Sequence, residues 1–146
     1  MIGAVSKIEE IEEGIIEEFA LFDDWMDKYE HIISLGKELP LIEESLKTED
    51  LLIKGCQSRV WLHAKIEDGK VIFTADSDAI ITKGIISLLI RVLSGQTPDV
   101  IINTDLNFIE HIGLKEHLSP TRSNGLVSMV KQMKLYALAF KTQQNG

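Results

Sequence analysis

Cysteine occurs once in this chain of 146 residues, at position 56. One thiol forms no intramolecular disulfide, and a zinc or cluster site built from thiolates alone usually takes four. With no partner at C-x-x-C spacing, an internal dithiol–disulfide cycle is excluded as well. Basic side chains are scarce: 15 Lys and Arg against 23 Asp and Glu leave a net charge of −8. Nucleic-acid binding needs phosphate-neutralising cations, so that class is set aside. No glycine-rich phosphate loop is present, since by pattern Gly69, Gly84 and Gly95 fall at a turn, inside a helix and at a helix end. The apolar run that includes Ile81 to Val92 is too short and too charged to span a bilayer, which takes about 20 residues, so no membrane association is expected. The opening MIGAVSKIEEIEEG has no basic stretch followed by an apolar core. No secretory signal is therefore expected, and a free thiol fits a reducing cytoplasm.

What is present describes a globular protein. Apolar residues make up 45% and charged residues 26%, ordinary proportions for such a chain. The length suits one domain over residues 1–146, burying roughly 70% of its unfolded surface. Charge is uneven along it: residues 1–50 hold 15 acidic and 4 basic side chains, the remainder 8 and 11. The acidic part reads either as a solvated helical face or as a docking surface for a basic partner.

Hydrophobic spacing sets the elements. Ile8, Ile11, Ile15, Phe19 and Phe22 recur at steps of 3 and 4, one face of a helix whose other face is a glutamate run. Asp23 or Asp24 can cap a second helix carrying Trp25, Tyr29, Ile32, Ile33 and Gly36, finished before Pro40. Leu51-Leu52-Ile53 reads as a short strand. Then Val60, Leu62, Ala64 and Ile66 alternate with Trp61, His63, Lys65 and Glu67, and Val71, Phe73 and Ala75 resume the alternation after Asp68-Gly69. Asp-Gly between two such runs is a strong hairpin signal. Ser77 or Asp78 is expected to open a helix with Ile81, Ile85, Leu88, Leu89 and Val92 inward, ending near Ser94-Gly95. Thr97-Pro98-Asp99 reads as a cap with proline at the first helical position. A short helix over about 105–111 stops at Gly113, and Ser123 is expected to cap a last helix with Leu126, Val130, Met133, Ala137 and Phe140 on one side. The fold class is α+β: a small antiparallel sheet, built on a hairpin of 59–67 and 70–76, packed with helices.

Cys56 lies in IKGCQSRVWLHAKI, on a loop entering the first hairpin strand. Gly55 can bend the chain there, and Lys54, Gln57, Ser58 and Arg59 are near enough in sequence to stabilise a thiolate. A buried cysteine that only packs is the competing reading. A cysteine hydrolase would need one of His31, His63, His111 or His117 as base, and none stands in a recognisable nucleophile–base signature. Each reads by default as a surface or half-buried side chain, and Trp61 as packing.

Four blocks bear on the choice. GCQSRVWL, FTADSDAIITKGIISLLI, SGQTPDVI and GLKEHLSPTRSNGL follow in that order. Together they closely resemble the SufE family of sulfur-acceptor proteins, from about Leu35 to Phe140, with the first helix weakly matched. The resemblance implies a fold shared with the IscU-type scaffolds, and a cysteine on a loop at one end, partly sheltered in the free protein. It implies that Cys56 takes persulfide sulfur from a PLP-dependent cysteine desulfurase of the SufS or CsdA type and passes it to the SufBCD scaffold for iron–sulfur cluster assembly. No cofactor of its own is implied, since the PLP belongs to the partner, and whether such an accessory protein counts as an enzyme is left open. Gly55, Gln57 and Ser58 would support the sulfur. Asp78 matches a family aspartate beside the active-site loop, or complements a helix dipole. Glu110 and Arg122 match an acidic residue and an arginine that recur in the family. Arg122 could steady a sulfur anion or clamp a partner carboxylate, or simply pair with Glu110. Arg59 departs from the neutral glutamine frequent in the family. The alternatives to a sulfur carrier are a desulfurase-binding adaptor with a packed cysteine and, less favoured, a cysteine hydrolase.

Overall fold

A computed structural model describes residues 3–145. Helix α1 (Gly3–Ala20) buries Ile8, Ile15 and Phe19, with its glutamates largely outward. One glutamate is the exception: Glu12 is buried, and its carboxylate accepts the Phe108 N–H at 3.0 Å. Asp24 caps α2 (Trp25–Gly36), accepting the Asp27 N–H at 2.9 Å, as the spacing suggested. Two short 3₁₀ turns, Glu44–Leu46 and Glu49–Leu51, occupy the connection that follows. The short strand expected at 51–53 is therefore reduced to one bridge between Leu52 and Trp61.

Strands β1 (Val60–Glu67) and β2 (Lys70–Ser77) pair antiparallel, with Leu62 opposite Ala75 and Ala64 opposite Phe73 on the buried face. Asp68 and Gly69 both take positive φ (52° and 79°), the geometry a two-residue hairpin turn requires. The outer edge of β2 is covered along its length, and that of β1 near its start. Pro40 to Ile42 bonds to Ala75, the Val71 N–H donates to the Gln96 carbonyl, and the Phe73 N–H donates to Ser94 Oγ. Tyr136 Oη donates to the Leu62 carbonyl on the other strand at 3.0 Å. The β2 edge so covered offers no template for pairing with another chain.

Helix α3 (Ile80–Leu93) runs through the centre, burying Ile81, Ile85, Leu88, Leu89 and Val92 as expected, and Ile86, Ile90 and Leu93 besides. It begins later than expected. Ser77 Oγ accepts the Ala79 N–H and Asp78 bonds back to the hairpin, so neither side chain caps the helix. Helix α2 crosses α3 where Gly36 and Gly84 meet: a β-carbon on Gly84 would stand 2.0 Å from the Ile32 carbonyl oxygen. Glu18 joins three elements at this end, accepting from Arg91 (3.0 and 3.2 Å) and contacting His31.

Thr97 and Pro98 start α4 (Pro98–Asn103) as read from the sequence. The helix expected over 105–111 is shorter: α5 (Phe108–His111) follows Leu106, whose φ of +51° breaks the run. After α6 (Leu114–His117), the long α7 (Pro120–Asn145) packs against α4 and α3. Ser119, not Ser123, sits at its start: Ser119 Oγ accepts the Arg122 N–H at 3.3 Å. Proline at the first helical position explains the choice, since its fixed φ suits that position and its missing donor costs nothing there. Leu126, Met129, Met133 and Ala137 of α7 are buried, and Val130 and Phe140 partly so. The buried side chains form a continuous cluster drawn from both strands and from α1, α2, α3, α4, α5, α6 and α7.

Candidate functional site

The loop that carries the sulfur is closed at its base. The Ile53 N–H donates to the Val60 carbonyl at 2.8 Å, and the Arg59 N–H donates to Asp78 Oδ1 at 3.1 Å. The Asp78 N–H returns a bond to the Arg59 carbonyl at 3.3 Å. Gly55 has a φ of +93°, and a β-carbon there would lie 2.4 Å from Ser128 Oγ. The positive φ is what calls for glycine here, while the Ser128 hydroxyl could turn away from an added β-carbon.

Cys56 is half-buried at the tip of this loop, and its Sγ donates to the Gly125 carbonyl on α7 at 3.6 Å. Beside it opens a small, mainly polar cavity of about 230 Å³. Gln57 and Ser58 contribute from the loop, Thr82 and Ile85 from α3, and Ser119, Thr121, Arg122, Gly125 and Met129 from the start of α7. Burial raises the thiol pKa above its ordinary value. Here the sequence reading needs correcting: Lys54 and Arg59 were near enough in sequence to favour a thiolate, yet both are exposed and neither lines the cavity. The sulfur is half-buried, and its burial disfavours the thiolate.

The expected site residues separate into two groups. Gln57, Ser58 and Arg122 gather around Cys56, with Gly55 shaping the loop and Asp78 fixing its base. Glu110 lies elsewhere, in an apolar groove of about 630 Å³ between α5 and α7 that is lined by Leu126, Val130 and Leu138 among others. Among the described residues no ion pair joins Glu110 to Arg122, because Arg122 faces the sulfur cavity and Glu110 the groove. Thr82, Ser119, Thr121, Gly125 and Met129 are cavity residues that the sequence reading did not single out. Ser119 and Thr121 flank Pro120 in the block SPTRS, the one signal that could have found them.

The histidines are all placed away from the sulfur. His31 contacts Glu18, and His117 stacks on Trp25 with ring centroids 4.0 Å apart. His63 sits on β1 opposite Thr74, and His111 ends α5. None lines the cavity, so the nucleophile–base pair of a cysteine hydrolase is not assembled among the described residues. Nor do those residues gather three or more His, Cys, Asp or Glu side chains in a metal-binding arrangement, and none of their helices is long and apolar enough to cross a membrane.

Fold and site together define a class: a mostly helical protein with one two-stranded hairpin, presenting a single sheltered thiol on a braced loop. Residues 13–137 match the SufE family, described as an Fe-S metabolism associated domain. The chain is 40% identical over 132 residues to an uncharacterised SufE-like protein of Synechocystis, covering 90% of this chain and 82% of that protein. It is 41% identical over 125 residues to an uncharacterised SufE-like protein of Rhizobium meliloti, covering 82% and 89% respectively. Against the Arabidopsis thaliana SufE-like protein 1, chloroplastic/mitochondrial, identity is 36% over 93% of this chain, which spans 38% of that longer protein. A solution structure of a hypothetical protein from Thermus thermophilus shares the fold, with a TM-score of 0.75 and 21% identity over 90% of this chain and 96% of that one. The chain belongs to the SufE family, associated with iron–sulfur metabolism.

Proposed function

We propose that this protein, as a single domain, accepts sulfur on Cys56 from a PLP-dependent cysteine desulfurase of the SufS or CsdA type. It stimulates that enzyme and delivers the sulfur to a SufBCD-type scaffold for cluster assembly. The observation that carries this reading is the half-buried thiol on a loop braced at both ends, beside a polar cavity and away from every histidine. Such a site suits holding a reactive sulfur more than hydrolysing a bond. The work belongs in a reducing compartment, the cytoplasm, where a lone thiol stays free.

The transfer is an exchange. The Cys56 thiolate attacks the outer sulfur of the donor's persulfide, the bond from Cys56 to that sulfur forms, and the donor's S–S bond breaks. The donor cysteine leaves as a thiolate carrying the electron pair, so sulfur moves at constant oxidation level with no external oxidant or reductant. Burial raises the Cys56 pKa, so forming the attacking thiolate is disfavoured until the donor engages, and the proton lost from Cys56 is balanced overall by the thiolate the donor releases. Arg122, on the cavity wall, is the cation nearest in role to the sulfur anion, while Gln57 and Ser58 supply polar groups.

Half-burial also suits a merely packed thiol, which makes the adaptor the second reading. Intact mass after mixing the protein with a SufS-type desulfurase and cysteine separates the two. A carrier gains one sulfur atom, released by a reducing thiol and absent in Cys56→Ser; resistance to thiols would mark oxidation to a sulfinic acid instead. No reversible gain alongside an active desulfurase would leave the adaptor, particularly if Cys56→Ser stimulates the enzyme as wild type does.

A further inference from the structure

Gly125 is buried on the second turn of α7, where a glycine has no local justification. Its φ is not among the positive values that call for glycine, and glycine inside a helix weakens it relative to alanine. A β-carbon there would have one near neighbour only, Cys56 Sγ at 3.6 Å. That is ordinary van der Waals contact, so the thiol form of the protein has room for alanine. Gly84 shows the contrast, since its β-carbon would collide with backbone at 2.0 Å. A larger form of Cys56 does give the glycine a reason.

Resting on the carrier reading above, we infer that Gly125 is a positioning residue that keeps space on the inner side of Cys56 for the outer sulfur of its persulfide. The added sulfur stands about 2.05 Å from Sγ. With glycine at 125 it can turn inward, into the cavity walled by Thr82, Ser119 and Met129. A methyl group 3.6 Å from Sγ would close the directions on that side and push the sulfur toward solvent, where thiols can attack it. The glycine thus trades helix stability for shelter of the loaded state.

The test uses the whole chain as wild type, Gly125→Ala and Gly14→Ala. Gly14 is also helical, and a β-carbon there meets nothing within 4 Å, so it controls for the general effect of removing a helix glycine. Each protein is charged with a SufS-type desulfurase and cysteine, freed of the enzyme, then chased with dithiothreitol while intact mass follows loss of the sulfur atom. Gly125→Ala should be at least as stable as wild type to urea, yet lose its sulfur about tenfold faster or charge to about a tenth the extent, a difference of about 1.4 kcal/mol. Gly14→Ala should behave as wild type in the chase. Equal charging and equal loss in Gly125→Ala would overturn the inference, as would a Gly125→Ala protein that fails to fold, since the thiol form would then lack the room ascribed to it. Wild type taking no sulfur at all is a separate outcome, which removes the carrier reading and this inference with it.

Discussion

Gly84→Ala should damage the fold severely, although alanine is the better helix former. Inside a helix the exchange alone is worth about 1 kcal/mol in alanine's favour. At position 84 the new β-carbon would lie 2.0 Å from the Ile32 carbonyl oxygen, and 2.7 Å from both its carbonyl carbon and Cγ2. Those are backbone and β-branched atoms with no free torsion to turn them aside, so α2 and α3 must separate by about 1 Å or more to reach van der Waals contact. Separation strips packing from Ile32, which is fully buried, and stretches the 3.0 Å bond from Ser87 Oγ to the Leu35 carbonyl. Overpacking of this kind should outweigh the helix gain and leave a net loss of about 2–3 kcal/mol. With a urea slope of about 1–3 kcal/mol/M, the unfolding midpoint should fall by roughly 1–2 M. Urea titration followed by far-UV circular dichroism measures it, with Gly14→Ala as the reference whose midpoint rises. A Gly84→Ala midpoint at or above that of wild type would refute the close approach of the two helices at this crossing.

Two further expectations concern the loop and the pH response. Asp78→Ala removes the acceptor of the Arg59 N–H and should loosen the loop base by about 1 kcal/mol, speeding iodoacetamide alkylation of Cys56 roughly fivefold; an unchanged rate would mean the brace does not restrain the sulfur. In wild type, alkylation should be slower than in urea-unfolded protein and should keep rising with pH beyond the ordinary thiol range, because burial raises the Cys56 pKa. Burial tends to raise the Glu18 pKa, but hydrogen bonds from Arg91 and His31 outweigh it and leave the pKa lowered. Its contribution is therefore present above the unfolded carboxylate pKa and lost as pH falls through the folded one. Partly exposed as it is, the group should be worth no more than about 1 kcal/mol, so Glu18→Gln should cost that much at pH 7 and flatten the acid limb of the stability profile; urea midpoints between pH 3 and 7 with the two profiles parallel would contradict this.

Features governed by neighbours in sequence were legible from sequence. Asp24 caps α2, Asp68-Gly69 turns the hairpin, and Thr97-Pro98 opens α4, each through atoms a few residues apart. A boundary is misplaced where Ser123 is the expected cap, since the helix starts four residues earlier at Ser119-Pro120. Features fixed by distant atoms were not legible. Asp78 looks like a helix cap until the Arg59 N–H claims its carboxylate, and Phe108 starts its helix against Glu12, 96 residues away. The cavity beside Cys56 is of the second kind: its far wall comes from a helix that begins 64 positions later, at Pro120. The family resemblance brought Arg122 to the site and also suggested its pairing with Glu110, which the geometry does not support.

The closed base of the sulfur loop also has a kinetic side. Bonds at Ile53–Val60 and Arg59–Asp78 fence off a short segment whose tip packs Cys56 against the core and makes one hydrogen bond, from Sγ to the Gly125 carbonyl. Such a segment can open by itself while the core stays packed, so its clock is that of local loop motion, not of global unfolding. Surface loops move in nanoseconds to microseconds, whereas whole domains can take days to unfold. On the carrier reading proposed above, local opening of this loop would let Cys56 meet its donor without unfolding of the core.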